Sequence, residues 1–200
     1  MEPEERQYHK TVKLMYLKMS LFVIVLIASF AIGYTIGGQN RGVVYHEHPT
    51  IKYHRKVAQS LTNDTLQKEL RSRLNSTEYS HLELLDWEHN RLNYTKENIP
   101  RHDNPLQILA FGKGRCGEFS ILYNALCLAC GYRARLIADI YGDHVWTEVF
   151  INGTWVHVDP TEKIVNDPLM YQTDWDKEVT VICAFEGSLV LDVTQNYSIP

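Results

Sequence analysis

The sequence lacks an excess of positive charge and any long run of one charge sign. Lys and Arg together number 20 against 24 Asp and Glu, which gives a formal net charge of −4 at pH 7. A dedicated nucleic-acid-binding protein normally carries a basic patch and a high isoelectric point. We therefore expect no nucleic-acid partner. Apolar residues at 44% and charged residues at 22% also exclude a disordered chain.

Cysteine is scarce as well, with four in the chain and none before Cys116. The single Cys-x-x-Cys, from Cys127 to Cys130, has no second pair with which to build a zinc site. We predict that both cysteines belong to the core, and we expect no metal and no cofactor. If the domain lies outside the cytosol, one disulfide of Cys183 with Cys127 or Cys130 is an alternative.

One apolar run stands out at the N-terminus, where residues 19–38 contain no charged side chain. About 20 apolar residues in a helix cover the hydrocarbon core of a bilayer, so we predict a retained transmembrane helix. A cleaved signal peptide, whose apolar region is usually shorter, and a buried core helix are the alternatives. The predicted organisation is a tail (1–18), a transmembrane anchor (19–38), a juxtamembrane linker (39–54) and a catalytic domain (55–200).

The flanking charges favour one orientation of this anchor. Lys10, Lys13 and Lys18 precede it closely, whereas Arg41 is the nearest basic residue after it. The positive-inside rule then predicts a cytosolic N-terminus and an extracytoplasmic domain. N-glycosylation sequons agree with that orientation. They occur at Asn63, Asn75, Asn93, Asn152 and Asn196.

Small residues recur on one face of the predicted anchor, at Ser29, Gly33 and Gly37. This spacing lets two membrane helices approach closely, so a homodimer through the transmembrane helix is possible.

The soluble part reads as helices first and strands afterwards, which predicts an α+β domain with helices packed on an antiparallel sheet. Asn152-Gly153 between two apolar runs is a strong hairpin signal. The helices are predicted at 55–74, 80–92, 105–111 and 116–130, and the strands at 133–141, 144–151, 154–159, 179–185 and 189–193.

Three residues in this pattern suggest nucleophilic catalysis. Cys116 follows a glycine-rich loop and begins a helix, where unpaired backbone N–H groups favour a thiolate and can hold an oxyanion. His144 begins one strand of the predicted hairpin and Asp159 ends the other. The hairpin brings them together as a base and its orienting carboxylate, so we predict a Cys116–His144–Asp159 triad. His157 is the alternative base.

The strings GRCGEF (114–119), DHVWTEV (143–149) and WVHVDPTE (155–162) resemble the transglutaminase-like superfamily. Within it, the likeness to the peptide:N-glycanases continues through DPLMY (167–171), Trp175 and LDVT (191–194). The resemblance implies a papain-like cysteine hydrolase core. It also assigns Cys116 as the nucleophile, with His144 and Asp159 as base and orienter. The glycanases carry a zinc site of two Cys-x-x-Cys pairs before the nucleophile, which this chain lacks.

The resemblance implies a cysteine amidase that forms a thioester with a carboxamide, and whose substrate is an Asn-linked glycopeptide or a peptide. Trp146, Trp155 and Glu118 are the candidate substrate-binding residues, although the tryptophans also suit a core and Glu118 a helix start. A transamidase or a cysteine peptidase would use the same triad. A catalytically silent, membrane-tethered glycan- or peptide-binding module is the alternative from another class.

Overall fold

The computed structural model describes residues 48–74, 76 and 78–199. None of the helices within those ranges is both long and apolar enough to cross a membrane. The predicted tail (1–18), the predicted anchor (19–38) with its small-residue face, and the linker up to residue 47 lie outside the described residues.

In the described part of the chain, five helices precede the main sheet. They are α1 (Pro49–Leu61), α2 (Asp64–Arg73), α3 (His81–His89), α4 (Pro105–Phe111) and α5 (Cys116–Ala129). Two short strands, β1 (Asn93–Tyr94) and β2 (Lys113–Gly114), pair in parallel and bring the segment after α3 against the loop before α5.

The first two helices differ from the sequence prediction. Residues 49–54, which the sequence assigned to the linker, form the first half of α1, with Pro49 at the first helical position where its missing N–H costs nothing. The single helix predicted over 55–74 is interrupted at Asn63. The side-chain oxygen of Asn63 accepts the backbone N–H groups of Thr65 and Leu66 and so begins a new helix.

The strands that follow form one antiparallel sheet within the described residues. Their order across the sheet is β6-β5-β4-β3-β7-β8. They are β3 (Ala134–Asp139), β4 (Val145–Ile151), β5 (Thr154–Asp159), β6 (Ile164–Val165), β7 (Ile182–Glu186) and β8 (Leu189–Asp192). A short helix α6 (Met170–Thr173) lies between β6 and β7, and a 3₁₀ turn (Thr194–Asn196) follows β8. The α+β prediction is therefore confirmed.

The predicted hairpin is present between β4 and β5. Asn152 and Gly153 form its turn with φ values of 49° and 86°. Two successive residues with positive φ are what a type I′ turn requires, and Asn-Gly adopts it at little cost. The register pairs Thr147 with Val158, so the start of β4 lies beside the end of β5.

Helix α5 is buried on nearly all sides, since it lies between the other helices and strands β3 and β4. Two hydrogen bonds fasten it to β4: the Ser120 hydroxyl donates to the Val145 carbonyl at 2.7 Å, and the Thr147 hydroxyl donates to the Ser120 carbonyl at 3.2 Å. These bonds fix the first turn of α5 relative to the residue that precedes β4.

The opposite face of the sheet carries a second, smaller core. Alternate residues of β3 point to different faces, so Leu136 and Ala138 join the core under the helices while Ile137 joins this second core. The C-terminal segment covers it. Its buried members are Ile137, Trp146, Met170, Tyr171, Ile182, Ala184, Val193 and Tyr197.

Candidate active site

Cys116 occupies the first position of α5 because of the loop before it. The Glu118 carboxylate turns back and accepts the backbone N–H of Arg115 at 3.0 Å, which fixes the start of the helix. Gly114 is needed there, since a Cβ at this position would lie 2.6 Å from the Cβ of Glu118. The loop and the first turn of α5 therefore fit together only with glycine at this position.

The Cys116 thiol is partly exposed and points toward the segment before β4. It donates a hydrogen bond to the backbone carbonyl of Asp143 at 3.4 Å. That segment is itself held in place, because the Lys177 ammonium lies 2.9 Å from the Asp143 carboxylate. The thiol is thus beside the residue that directly precedes His144.

His144 and Asp159 meet at the open end of the hairpin, as the sequence predicts. Nε2 of His144 lies 2.6 Å from Oδ2 of Asp159, which is completely buried. The same imidazole borders the cleft beside Cys116, and its interaction with Cys116 contributes to raising its pKa. Because Nε2 is engaged with Asp159, the nitrogen available to the thiol is Nδ1. The structure therefore brings all three predicted residues together.

The electrostatics of this group favour a charged imidazole. Burial lowers the pKa of His144, but hydrogen bonds to Asp159 and Cys116 and their charges outweigh it, and the pKa is raised from 6.5 to about 9. Burial raises the pKa of Asp159, yet its hydrogen bonds, first of all from His144, hold it below the ordinary value of 3.8. Asp159 is thus ionised at neutral pH, and it supports a proton on His144.

His157, the alternative base in the sequence, has a different environment. Its Nε2 lies 2.7 Å from the Tyr171 hydroxyl, and its Nδ1 accepts the Asp167 backbone N–H at 3.3 Å. Burial lowers its pKa from 6.5 to about 4, so the ring is neutral at pH 7. Both nitrogens are already used, which leaves neither for the Cys116 thiol.

Two aromatic residues near the imidazole were given no role by the sequence. The Tyr171 hydroxyl donates to Oδ2 of Asp159 at 3.1 Å, and the Trp175 ring stands edge-on to His144 with centroids 4.9 Å apart. Both lie in the stretch on which the family resemblance partly rests. That likeness was the only signal in the sequence that could have pointed to them.

The structure does not place either predicted substrate-binding tryptophan on the cleft. Trp146 is 1% exposed and belongs to the second core, where it stacks behind His144 at 5.7 Å. Trp155 is at the opposite end of β5 from Asp159, under the guanidinium of Arg135 at 4.0 Å. Their role in substrate binding stays a prediction, since alternation along a strand does not reveal which face or which end borders the cleft.

Glu118 does border the cleft, but its side chain is 1% exposed and its oxygens are already bonded within the protein. Besides the Arg115 N–H, they accept the guanidinium of Arg101 at 3.3 Å and the backbone N–H of His102 at 3.4 Å. Glu118 thus ties the segment before α4 to the start of α5. This contact makes it a structural carboxylate beside the cleft.

Two depressions meet at Cys116 and His144. One, of about 300 Å³, extends toward Tyr53 and His54 of α1. The other, of about 610 Å³, is bordered by Tyr94, Trp175 and Lys177, among other residues. The thiol is therefore reachable by a substrate that extends to both sides of it.

All four cysteines lie in the described part of the chain, and each is a free thiol. The alternative disulfide of Cys183 with Cys127 or Cys130 is therefore not formed. Cys127 is completely buried in α5, and burial raises its pKa far above the ordinary value of 9.0. Residues 48–74, 76 and 78–199 contain no group of three or more His, Cys, Asp or Glu side chains that is arranged to hold a metal ion.

Comparison with known proteins finds a family match over this part of the chain. The family described as the transglutaminase-like superfamily matches residues 64–160, a range that includes all three residues of the group. The chain contains a transglutaminase-like domain. Peptide-N(4)-(N-acetyl-beta-glucosaminyl)asparagine amidases resemble this domain over about half of the chain. The enzyme of Oryza sativa subsp. japonica is 42% identical over 108 residues, which are 52% of this chain and 24% of that protein.

The corresponding amidase of Gallus gallus is 41% identical over 102 residues, or 50% of this chain and 16% of that protein. The chain thus spans about a quarter or less of the length of these relatives. Among solved structures, a chain of the Rad4/XPC nucleotide excision repair complex, studied for DNA duplex opening, superposes with a TM-score of 0.56 at 12% identity. The overlap covers 74% of this chain and 47% of that one, and the likeness concerns the fold alone.

Proposed function

We propose that this chain is a membrane-anchored cysteine amidase that releases the glycan from Asn-linked glycopeptides. The observation that carries the proposal is that Cys116 and His144 border the same depression, and that the imidazole is bonded to the buried Asp159 carboxylate. The sequence similarity of about half of the chain to peptide-N(4)-(N-acetyl-beta-glucosaminyl)asparagine amidases supports the choice of substrate.

The reaction begins from the ion pair in which Nδ1 of His144 holds the proton of the Cys116 thiol, because the raised pKa of His144 favours a charged imidazole and Nε2 is held by Asp159. The Cys116 sulfur attacks the side-chain carbonyl carbon of the glycosylated asparagine, and a C–S bond forms. Collapse of the tetrahedral intermediate breaks the C–N bond, and His144 gives its proton to the departing glycosylamine. Water, activated by His144, then cleaves the thioester and leaves an aspartate side chain and the free thiol.

The start of α5 supplies the groups that stabilise the oxyanion. The first backbone N–H groups of a helix have no partner within the helix, and the positive end of its dipole adds to them. We assign the N–H groups of the first turn, at Cys116 and Gly117, to the oxyanion of the intermediate. Removing one such donor commonly lowers kcat by about a hundredfold or more. The placement of Cys116 at this end of α5 is therefore part of the chemistry.

The depression bordered by Tyr94 and Trp175 suits the glycan. It is wide and open, and it combines these exposed rings with charged side chains such as Arg115 and Lys177. Such a surface offers both apolar contact and hydrogen bonds, as a sugar ring requires. The smaller depression beside α1 would then remain for the peptide.

We further propose that the domain lies outside the cytosol, tethered by residues 19–38. Four of the five sequon asparagines are described, and all four are exposed: Asn63, Asn93, Asn152 and Asn196. They are thus accessible to glycosylation. Protease treatment of sealed vesicles tests the orientation, since a domain digested from the cytosolic side without lysis would overturn it.

The activity is tested with a glycopeptide carrying one Asn-linked glycan, followed by mass spectrometry of the peptide. We expect conversion of the glycosylated Asn to Asp by the native chain and none by Cys116→Ser. Cys130→Ala, a change of a second partly exposed cysteine in the same segment, is the matched control and should retain activity. Cleavage of the peptide backbone would indicate a peptidase, and incorporation of an added amine would indicate a transamidase. Binding of the glycopeptide without turnover would indicate a silent binding module.

A further inference from the structure

Behind the Asp159 carboxylate lie two polar side chains that the mechanism does not use. Tyr171 and His157 are 2% and 3% exposed, and both belong to the buried face of the sheet that the C-terminal segment covers. Together with Asp159 they form an unbroken line of hydrogen bonds. Polar groups this deeply buried must be satisfied, so the direction of each bond can be worked out.

The direction follows from the one group in the line that can only donate. The backbone N–H of Asp167 donates to Nδ1 of His157, which therefore carries no proton. Since burial keeps the His157 ring neutral at pH 7, its proton is on Nε2. Nε2–H then donates to the Tyr171 oxygen, and the single hydroxyl proton of Tyr171 has Asp159 as its acceptor.

Four donors therefore converge on the Asp159 carboxylate. His144 and Tyr171 donate to Oδ2, while the backbone N–H groups of Thr161 and Glu162 donate to Oδ1 at 3.0 and 3.2 Å. A carboxylic acid could not accept all four, because one of its oxygens would carry a proton. The line of hydrogen bonds thus requires an ionised Asp159 with a fixed orientation.

We propose that Tyr171 and His157 are positioning residues for the Cys116 reaction: they hold Asp159 ionised and oriented, so that His144 keeps Nε2 on Asp159 and presents Nδ1 to the thiol. This inference rests on the proposed function, because it assigns a role to these residues in that reaction. Without Tyr171, the Oδ2 oxygen is free to turn away from His144, and the imidazole loses its fixed direction.

Tyr197 offers a matched control in the same aromatic cluster. Its ring is also buried and packs against Trp146 at 4.9 Å, compared with 4.4 Å for Tyr171. Its hydroxyl donates to a buried carboxylate too, but that carboxylate is Glu148, which is paired with Arg135. Loss of either hydroxyl disturbs the second core in a similar way, yet only the loss of the Tyr171 hydroxyl affects Asp159.

The first test compares Tyr171→Phe with Tyr197→Phe in the full chain in detergent. We expect Tyr171→Phe to lower kcat on the glycopeptide by about 10-fold or more with little change in KM, as for other groups that orient a reacting side chain. NMR titration should also show that the midpoint of His144 falls, while Tyr197→Phe leaves that midpoint unchanged. Equal titration of His144 in the two variants would overturn the proposal.

A second pair of variants tests His157 and includes a rescue. His157→Leu removes the donor to Tyr171, whereas His157→Gln keeps an N–H that can reach the same oxygen. We expect His157→Leu to resemble Tyr171→Phe and His157→Gln to recover part of kcat. A purely structural role predicts instead that the losses follow the melting temperature and that no recovery of kcat occurs at equal stability.

The native protein provides a test that does not depend on the variants folding. Nitrogen NMR shifts report which imidazole nitrogen carries the proton, and His157 should show a protonated Nε2 and an unprotonated Nδ1 at pH 7. The opposite tautomer would contradict the donor line. If the native chain does not cleave glycopeptides, the proposed function fails by itself. The His144 titrations still decide whether Tyr171 and His157 control Asp159.

Discussion

The two ends of helix α5 carry the same kind of side chain in opposite environments. Cys116 at the first turn is partly exposed and faces His144, whereas Cys127 near the last turn is completely buried among apolar residues. Burial raises the pKa of Cys127, and to a smaller extent that of Cys130. A thiol becomes a candidate nucleophile through its position on the helix and its neighbours, and the residue type alone is uninformative.

The largest effect is expected from removal of the base. In His144→Ala, we expect the amidase rate to fall by about 100-fold or more, as for other general bases. Alkylation of Cys116 by iodoacetamide should slow as well, while that of Cys130 in the same molecule stays unchanged. Peptide mass spectrometry measures both thiols at once, and a Cys116 that still labels as fast as in the native chain would exclude His144 as its activator.

A smaller effect is expected when the carboxylate is neutralised. Asp159→Asn removes the charge that supports the proton on His144, so its pKa should fall from about 9 toward the ordinary value of 6.5. The amidase rate should drop by about 10- to 100-fold, in the range found for groups that orient a reacting side chain. An NMR titration of His144 that remains near 9 would show that Asp159 does not set its charge.

The glycines that flank α5 differ in what an added Cβ would meet. A Cβ on Gly114 would lie 2.6 Å from Glu118, whereas one on Gly131 would meet no atom within 4 Å but would have a φ of 85°. We expect Gly114→Ala to cost about 1–3 kcal/mol of unfolding free energy by overpacking, and Gly131→Ala about 1 kcal/mol by backbone strain. Only Gly114→Ala should also slow the alkylation of Cys116. Denaturant unfolding followed by labelling distinguishes the two effects.

The smallest expected effect is on the pH dependence of stability. The pKa of His144 in the folded protein, about 9, is above the ordinary value of 6.5. The stabilisation from its charge is therefore complete below pH 6.5 and is lost as the pH rises through about 9. The difference in melting temperature between the native chain and His144→Ala should shrink over this interval. A difference that stays constant from pH 6.5 to above 9 would contradict the shift.

Local signals in the sequence were sufficient for the hairpin and for the start of α5. Asn152-Gly153 specified the turn that brings His144 and Asp159 together, and the glycine-rich loop specified where Cys116 begins a helix. The meeting of the thiol with the hairpin was expected from the three residue types and the resemblance together. The Asn-Gly turn and the glycine-rich loop are both local signals, which do not depend on residues far away in the chain.

What the sequence could not give depends on tertiary packing. Trp146 and Trp155 are both strand tryptophans, but only packing shows that one lies behind His144 and the other under Arg135. Tyr171 reaches Asp159 because the chain between β6 and β7 folds back over the sheet. No local sequence pattern predicts this contact. The start of α1 was missed because the polar residues at 49–54 resemble a linker until their buried side, with Ile51 and His54, is known.

The two hydrogen bonds between Ser120 and β4 affect the order in which the site forms during folding. His144 and Asp159 belong to one hairpin and are joined by a local turn, so their pairing closes a short loop. Cys116 reaches these two residues only when α5 docks on β4 through Ser120 and Thr147. We expect the His144–Asp159 pair to form before the complete triad. Pulsed hydrogen exchange would then show protection of the β4–β5 amides before that of the first turn of α5.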